Sequence, residues 1–179
     1  MRISSAFVAL LFLALPAAQS QTGGQVIDDP TLLAQLKQLF PTAAEFSAKS
    51  GNPAHYKALS VGASGQEPEV MGYAYWTTEL EPLERAFDGP VKMLVGMDPK
   101  GVLTGVIVTE HREPYGYFSV DLPEWPKQFE GKSIRDRFAY GADVDAISRA
   151  TITVTSASRA IRNSSRRVAR AYLTPPEQQ

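Results

Sequence analysis

The fold of this chain is decided by one stretch, Val91-Lys92-Met93-Leu94-Val95-Gly96-Met97-Asp98-Pro99-Lys100-Gly101-Val102-Leu103-Thr104-Gly105-Val106-Ile107-Val108-Thr109-Glu110. Two apolar runs rich in β-branched residues, 91–98 and 102–110, flank a turn made of Pro99, Lys100 and Gly101. β-Branched residues favour strands, and two such runs joined by a short loop that contains glycine predict an antiparallel hairpin. Because apolar residues dominate both runs, we expect the sheet to be covered on at least one face.

Helices are predicted on both sides of this hairpin. Asp29 and Pro30 suit an N-cap and a first helical position, so a helix begins there and ends at Pro41, and a second short helix is predicted over 42–49. Strand patterns follow over 56–61 and 69–77, and a short strand or extended segment over 138–143. The last predicted helix covers about 155–173, and one of its faces is lined by Arg159, Arg162, Arg166 and Arg170. The predicted class is α+β, an antiparallel or mixed sheet with N- and C-terminal helices packed on it.

The first twenty residues have the pattern of a cleaved secretory signal peptide. Arg2 precedes an apolar run over 6–15 that is short for a membrane span, and small residues follow as far as Ser20. We expect residues 1–20 to be removed, which leaves 21–179 as a single domain and predicts a periplasmic location. An uncleaved N-terminal anchor is the alternative.

Composition excludes several kinds of site. The chain has 18 basic and 19 acidic residues, a balance that argues against a nucleic-acid binder. It has no cysteine, which excludes disulfides, thiolate metal sites and cysteine-ligated iron–sulfur clusters, and its two histidines are not spaced as metal ligands. We find no nucleophile elbow and no acid/base pair, so neither a metal site nor a catalytic residue is predicted. An electron carrier of this composition needs an organic cofactor.

One segment, Asp145-Ala146-Ile147-Ser148-Arg149-Ala150-Thr151, has the composition of a chemical site. It lies just before the predicted C-terminal helix, and the first N–H groups of a helix have no partner within it. Such a helix start suits a phosphate group. A short acid, small residues and a threonine at this spacing resemble a site where flavin is covalently attached. The alternative is an edge strand over 150–154, in which Thr151 is only a surface hydroxyl.

Three pieces of the chain together resemble the FMN-binding domain found in flavin subunits of the sodium-pumping NADH:quinone reductase and of Rnf complexes. The pieces are the hairpin over 96–106, the loop His111-Arg112-Glu113-Pro114-Tyr115-Gly116, and the segment 145–151, in that order. The resemblance covers roughly residues 87–172 and looks closest to the periplasmic flavin domain of the NosR/NirI regulators.

In that family, the threonine that ends an Asp-x-x-Ser/Thr-Gly-Ala-Thr pattern is joined to the FMN phosphate by a phosphoester bond that a flavin transferase makes. The resemblance therefore implies covalent FMN on Thr151, with Asp145, Ser148, Arg149 and Ala150 at the cofactor site. Arg149 stands where the family has glycine. A side chain there argues against a positive φ, and its charge is expected to strengthen anion binding.

The family's His-x-Glu-Thr-Pro-Gly loop lies beside the isoalloxazine ring, which implies that His111, Glu113 and Gly116 line the cofactor here. Pro114 and Tyr115 replace the family's Thr-Pro, and we expect Tyr115 to lie against the flavin face. The alternative is structural: His111 simply ends a strand, and Glu113 is solvated.

These features predict an exported, covalently flavinylated electron carrier that exchanges electrons with a membrane or periplasmic redox system. The implied partners are redox proteins and a flavin transferase, not nucleic acid, and peripheral association with a membrane complex is compatible with this function. Two alternatives stay open: a redox-sensing or assembly module like NosR, and a flavin-free interaction domain. The arginine face of the last helix is either solvated or a docking surface for an acidic partner.

Overall fold

The computed structural model describes residues 27–62 and 67–173, so the predicted signal peptide over 1–20 lies outside the described residues. In chain order the elements are α1 (Pro30–Leu39), β1 (Glu45–Phe46), β2 (Tyr56–Leu59), β3 (Val70–Trp76), α2 (Thr77–Leu80), β4 (Lys92–Met97), β5 (Leu103–Glu110), a 3-10 turn (Gly116–Phe118), α3 (Glu124–Lys127) and α4 (Thr151–Tyr172). Within these described ranges, no helix combines the length and the apolar character that crossing a membrane requires.

The five strands form one antiparallel sheet in chain order, β1-β2-β3-β4-β5. The predicted hairpin is its β4–β5 pair, in which Val95 lies opposite Val106. The turn between them is held by Asp98, whose carboxylate accepts hydrogen bonds from the backbone N–H groups of Lys100 and Val102, both at 2.8 Å. The predicted α+β class is confirmed, and the sheet is antiparallel rather than mixed.

Both faces of β4 are buried, because α4 packs on one side of the sheet and α1 on the other. Successive side chains of a strand point to opposite faces, so alternate residues of β4 belong to different cores. The core shared with α4 includes Met93, Val95, Met97, Val154 and Ile161, and the core shared with α1 includes Leu94, Leu36 and Leu39. The sheet thus gives α4 a fixed support along the apolar face of the helix.

The predicted helix over 42–49 is wrong, because this segment contributes the edge strand β1. Glu45 lies opposite Leu59, and Phe46 lies opposite Ala58. So short a segment gains little stability as a separate helix, whereas the exposed edge of β2 offers hydrogen-bonding partners to its backbone groups.

The predicted strand over 138–143 is a turn. Tyr140 makes only an isolated bridge to Val144, and the Asp143 carboxylate accepts hydrogen bonds from the backbone N–H groups of Phe138 and Ala139 at 2.9 and 2.6 Å. Because Asp143 binds N–H groups that a strand would have offered to a neighbour, the chain turns back on itself here. This turn brings Tyr140 to the start of α4.

α4 begins earlier than predicted, at Thr151, and ends at Tyr172. The alternative edge strand over 150–154 is therefore wrong: the N–H of Val154 donates to the carbonyl oxygen of Ala150 at 2.9 Å, as it does in a helix. β-Branched residues lower helix propensity only weakly, and the burial of Thr153 and Val154 outweighs this effect.

Three arginines of the predicted arginine face donate hydrogen bonds within the chain, and one of them, Arg162, donates only to the adjacent Asn163 Oδ1 at 3.2 Å. The other two bind more distant parts of the chain. Arg159 donates to the Glu84 carboxylate through Nε and Nη2 at 2.9 and 2.8 Å. Arg166 donates to the backbone carbonyls of Ile134 and Asp136, both at 2.8 Å. Arg159 and Arg166 thus hold neighbouring loops against α4. If this face is a docking surface for an acidic partner, fewer than four arginines are free to bind that partner.

His55 makes the stability of the fold depend on pH. It is 2% exposed, packs against the rings of Tyr73 and Tyr172, and has Nδ1 3.0 Å from the carbonyl oxygen of Pro53. Burial lowers the pKa of this imidazole. The unfolded chain takes up this proton near pH ~6.5. The folded chain takes it up only at a lower pH, so the free energy of unfolding falls as the pH drops below that value.

We expect urea unfolding to report a free energy of unfolding that falls between about pH 6.5 and 5.5. The variant His55→Gln should lose this pH dependence, because glutamine does not titrate. The other histidine of the chain, His111, serves as the control, and His111→Gln should keep the dependence. An equal slope in the wild-type chain and in His55→Gln would contradict the assignment.

Candidate functional site

The predicted cofactor segment enters α4 through a tight turn. The N–H of Ala150 donates to the carbonyl oxygen of Ile147 at 3.1 Å, which makes residues 147–150 a β-turn. Arg149, the third residue, has a φ of 68°, whereas Ser148 is not in the left-handed region. A positive φ at the third position alone defines a type II turn, which favours glycine there. The expectation that the side chain of Arg149 argues against a positive φ is therefore wrong.

Replacing Arg149 with glycine is expected to stabilise the folded chain. The left-handed conformation costs an L-residue about 1–2 kcal/mol, and the greater freedom of glycine in the unfolded chain offsets about 0.4–1 kcal/mol of that cost. We therefore expect Arg149→Gly to raise the free energy of unfolding in urea by about 0.5–1 kcal/mol. Arg149→Ala is the matched control, since it removes the charge and keeps the Cβ atom. Equal stability of the two variants would contradict strain at this position.

Thr151 is the exposed first residue of α4. The N-cap residue, Ala150, has no side-chain acceptor for the first N–H groups, and the first turn contains no acidic residue. The first N–H groups of the helix therefore have no side-chain acceptor from the N-cap, and the buried Glu113 carboxylate, which binds Thr153 in the first turn, offsets part of the helix dipole. The Thr151 hydroxyl donates a hydrogen bond to the hydroxyl of Tyr140 at 3.1 Å. Tyr140 was not predicted from the sequence, because no periodic pattern links two residues that meet through an irregular turn.

The remaining residues of the segment divide into one buried residue and an exposed set. Ala150 is buried in the core beneath α4, where only a small side chain is accommodated beside the helix start. Asp145, Ser148 and Arg149 are exposed. The backbone N–H of Asp145 donates to Gln128 Oε1 at 2.8 Å, so the segment is anchored while the Asp145 carboxylate stays accessible to solvent.

His111 and Gly116 pack directly on each other in the second predicted piece of the site. His111 Nε2 lies 2.7 Å from Asp121 Oδ1, and Nδ1 accepts a hydrogen bond from the N–H of Glu113 at 3.1 Å. The Nδ1 contact places the ring proton on Nε2, where it is donated to Asp121. A Cβ atom added to Gly116 would lie 2.1 Å from His111 Cε1, so glycine is required for this close approach.

Glu113 is 6% exposed and joins three parts of the chain. Its carboxylate accepts hydrogen bonds from the backbone N–H groups of Phe87 and Asp88 at 3.1 and 2.8 Å, and from the hydroxyl of Thr153 in the first turn of α4. The structural alternative, a solvated Glu113, is therefore wrong. These bonds bring the loop over 111–116 and the segment 145–151 into one site.

Apolar side chains are exposed around this junction. Tyr115 is 44% exposed and has its ring centroid 5.4 Å from that of Phe118. Phe87, whose N–H binds Glu113, is 67% exposed, and Ile152, between Thr151 and Thr153, is 58% exposed. Exposed aromatic and aliphatic side chains beside a polar anchor are typical of a ligand-binding surface.

The family comparison matches this arrangement. Residues 87–166 match the family described as FMN-binding domain, a range that starts at Phe87 and includes all nine predicted site residues. Residues 87–166 belong to the FMN-binding domain family. The predicted cofactor, FMN, and the predicted family are thereby confirmed.

This chain is similar to G subunits of oxidoreductase complexes and to a regulatory protein. The chain is 32% identical to the G subunit of the ion-translocating oxidoreductase complex of Haemophilus influenzae, over 60% of this chain and 53% of the relative. It is 26% identical to the G subunit of the Na(+)-translocating ferredoxin:NAD(+) oxidoreductase complex of Acetobacterium woodii, over 65% of this chain and 64% of the relative. It is 25% identical to the regulatory protein NosR of Stutzerimonas stutzeri, over 83% of this chain and 20% of the relative. The chain thus matches about half or less of the length of the Haemophilus influenzae relative and of NosR.

Proposed function

We propose that this chain is an exported electron carrier in which FMN is bound covalently through a phosphoester to Thr151. The observation that carries the proposal is the exposed Thr151 hydroxyl at the uncapped start of α4, a helix of 22 residues, within an FMN-binding domain. A hydroxyl is a sufficient nucleophile towards an activated phosphoryl group, so the chain itself needs no catalytic residue.

The residues around Thr151 fit a phosphate. The first backbone N–H groups of α4 and the helix dipole favour a negative charge there by at most about 0.3–1 kcal/mol, of which the nearby Glu113 carboxylate offsets part. Arg149 adds an exposed guanidinium, and no ion pair occupies it within the described residues. A guanidinium matches the geometry of phosphate oxygens, which supports a role for Arg149 in holding the phosphate despite its left-handed conformation.

The phosphoester on Thr151 can form when the flavin donor carries a phosphoanhydride, as a flavin dinucleotide does. The bond between Thr151 Oγ1 and phosphorus forms, and the anhydride P–O bond breaks. The nucleoside monophosphate leaves with the electron pair, and the hydroxyl proton passes to a base on a flavin transferase. The chain contributes the positioned hydroxyl and a helix start whose first N–H groups have no side-chain acceptor from the N-cap.

The exposed apolar side chains support a place for the flavin ring beside Thr151. Phe87, Tyr115 and Ile152 surround the Glu113 junction and offer apolar and aromatic surface to a planar ring. His111 and Glu113 fix the loop that carries Tyr115. When bound, FMN supplies one- or two-electron transfer, and a ring exposed at one edge of the domain can exchange electrons without a substrate pocket.

The relatives support redox partners for this chain. The G subunits of Haemophilus influenzae and Acetobacterium woodii each belong to an oxidoreductase complex, which favours a carrier that exchanges electrons with such a system and associates with it peripherally. Export through the signal peptide over 1–20 places that exchange in the periplasm. A second candidate function, a redox-sensing or assembly module, is favoured by the match to NosR over 83% of this chain.

The covalent bond and export are tested together by mass. The full chain is expressed in bacteria with and without a flavin transferase, and the periplasmic fraction is analysed intact and after proteolysis. We expect the periplasmic chain to lack residues 1–20 with or without transferase. With transferase present, it should also gain the mass of FMN less one water, on the peptide that contains Thr151. An unmodified chain would contradict the covalent bond, and an adduct on another residue would contradict the proposed site.

A further inference from the structure

Tyr140 is the side chain that the Thr151 hydroxyl contacts. Thr151 Oγ1–H donates to the Tyr140 hydroxyl at 3.1 Å, and the Tyr140 hydroxyl donates to the carbonyl oxygen of Ile147 at 3.4 Å. We propose that Tyr140 is a positioning residue for flavin transfer, which holds Thr151 Oγ1 in the orientation that the transferase modifies. This inference rests on the proposed covalent attachment to Thr151.

The Tyr140 ring is mounted firmly enough for this role. It packs against the core beneath α4, and its backbone belongs to the turn that the Asp143 carboxylate closes through the N–H groups of Phe138 and Ala139. Lys132 Nζ lies 3.7 Å from Asp143 Oδ2 and neutralises that carboxylate. An exposed threonine at a helix start would otherwise turn its hydroxyl between rotamers, so a fixed partner lowers the entropy lost on reaction.

The Tyr140 hydroxyl can bind Thr151 Oγ1 both before and while Thr151 loses its proton. While Thr151 is protonated, its hydroxyl donates a hydrogen bond to the Tyr140 hydroxyl. The lone pairs of Oγ1 therefore stay free to attack phosphorus. The bond from Tyr140 to Ile147 is long for an O–H···O contact and therefore weak. As Oγ1 loses its proton to the base of the transferase, the phenol can turn its own hydrogen from Ile147 to Oγ1 and stabilise the developing charge.

The test measures flavin transfer to the purified chain by purified transferase, with flavin adenine dinucleotide as donor and in-gel flavin fluorescence as readout. Tyr140→Phe is expected to lower kcat about fivefold, the change that corresponds to one neutral hydrogen bond of ~1 kcal/mol, and to leave the KM for the chain unchanged. The control Tyr117→Phe removes the hydroxyl of an exposed tyrosine and should keep both constants. The urea midpoint of Tyr140→Phe, measured in parallel, should stay close to that of the wild type.

A second variant separates positioning from a general structural effect. Serine lacks the β-branch that restricts the threonine rotamer, so Thr151→Ser should depend more on Tyr140. We expect Tyr140→Phe to lower kcat by clearly more than fivefold in the Thr151→Ser background. If kcat of Tyr140→Phe stays within twofold of the wild type, or if only KM changes, the positioning role of Tyr140 is wrong, while the proposed attachment to Thr151 still stands. If the wild-type chain takes no flavin on Thr151, the proposed function fails, and this inference fails with it.

Discussion

Thr151→Ala is expected to give a folded chain that carries no covalent flavin after expression with a flavin transferase. The substitution removes the only atom of residue 151 that can form the phosphoester, and no neighbouring residue has the same place at the helix start. The loss should be complete rather than partial, because alanine has no hydroxyl that could accept the phosphoryl group. Flavin fluorescence that survives denaturing electrophoresis, with the intact mass, measures the result.

Three further variants make this prediction specific. Thr151→Ser keeps a hydroxyl and should retain covalent flavin, made more slowly. Thr155→Ala removes the same groups one turn further along α4 and should be flavinylated as fully as the wild type. The urea stability of Thr151→Ala should lie within about 0.5 kcal/mol of the wild type, because residue 151 is exposed. Covalent flavin on Thr151→Ala would overturn the assignment of the attachment site.

Glu113→Ala is expected to destabilise the chain by about 3 kcal/mol. The substitution removes the acceptor of three hydrogen bonds in a junction that is 6% exposed, and leaves the N–H groups of Phe87 and Asp88 and the hydroxyl of Thr153 without it. The buried Thr153 hydroxyl costs about 1–3 kcal/mol when it loses its partner. The N–H groups of Phe87 and Asp88 are part-buried and each costs less, because water can reach them. Urea unfolding of the flavin-free chain measures the change.

A graded series tests the cause of this loss. Glu113→Gln keeps one oxygen, which can still accept from Phe87 and Thr153, but its amide group meets the N–H of Asp88 as a second donor, so we expect a loss of about 1–2 kcal/mol. Glu110→Gln is the control, because its exposed side chain lies 3.8 Å from Lys92 and contributes about 0–0.5 kcal/mol. A loss below ~1 kcal/mol for Glu113→Ala would contradict its role as a junction.

The parts of the fold that were predicted correctly are those with a local cause. The hairpin of β4 and β5 has two apolar runs and a turn whose Asp98 binds its own loop, so its pattern is complete within twenty residues. The contacts of the arginine face were not predicted, and the helix over 42–49 was predicted wrongly, for the opposite reason. Glu84, Ile134 and the edge of β2 are distant in sequence, and only their approach decides what the arginines bind and whether residues Glu45–Phe46 form a strand.

The candidate site divides in the same way. Thr151 and its neighbours were predicted from their resemblance to a motif of the FMN-binding domain family, and the family match confirms the family and the FMN cofactor. The contacts within the site were not predicted. Glu113 binds Thr153, which lies 40 positions away in the sequence, and Tyr140 contacts Thr151 across an irregular turn. Neither contact has a periodic pattern that a sequence reveals.

The sequence by itself determined the α+β class and the central hairpin, because both follow from residues that are neighbours along the chain. The segment that ends in Thr151 and the FMN cofactor came from the resemblance of three pieces of the chain to the FMN-binding domain family. Only the tertiary structure decided that α4 begins at Thr151, that Arg149 adopts a glycine conformation, and that Glu113 and Tyr140 hold the helix start. The physical reason is that packing overrides weak local preferences: burial of Thr153 and Val154 draws a β-branched run into a helix, and the helix then imposes the turn before it.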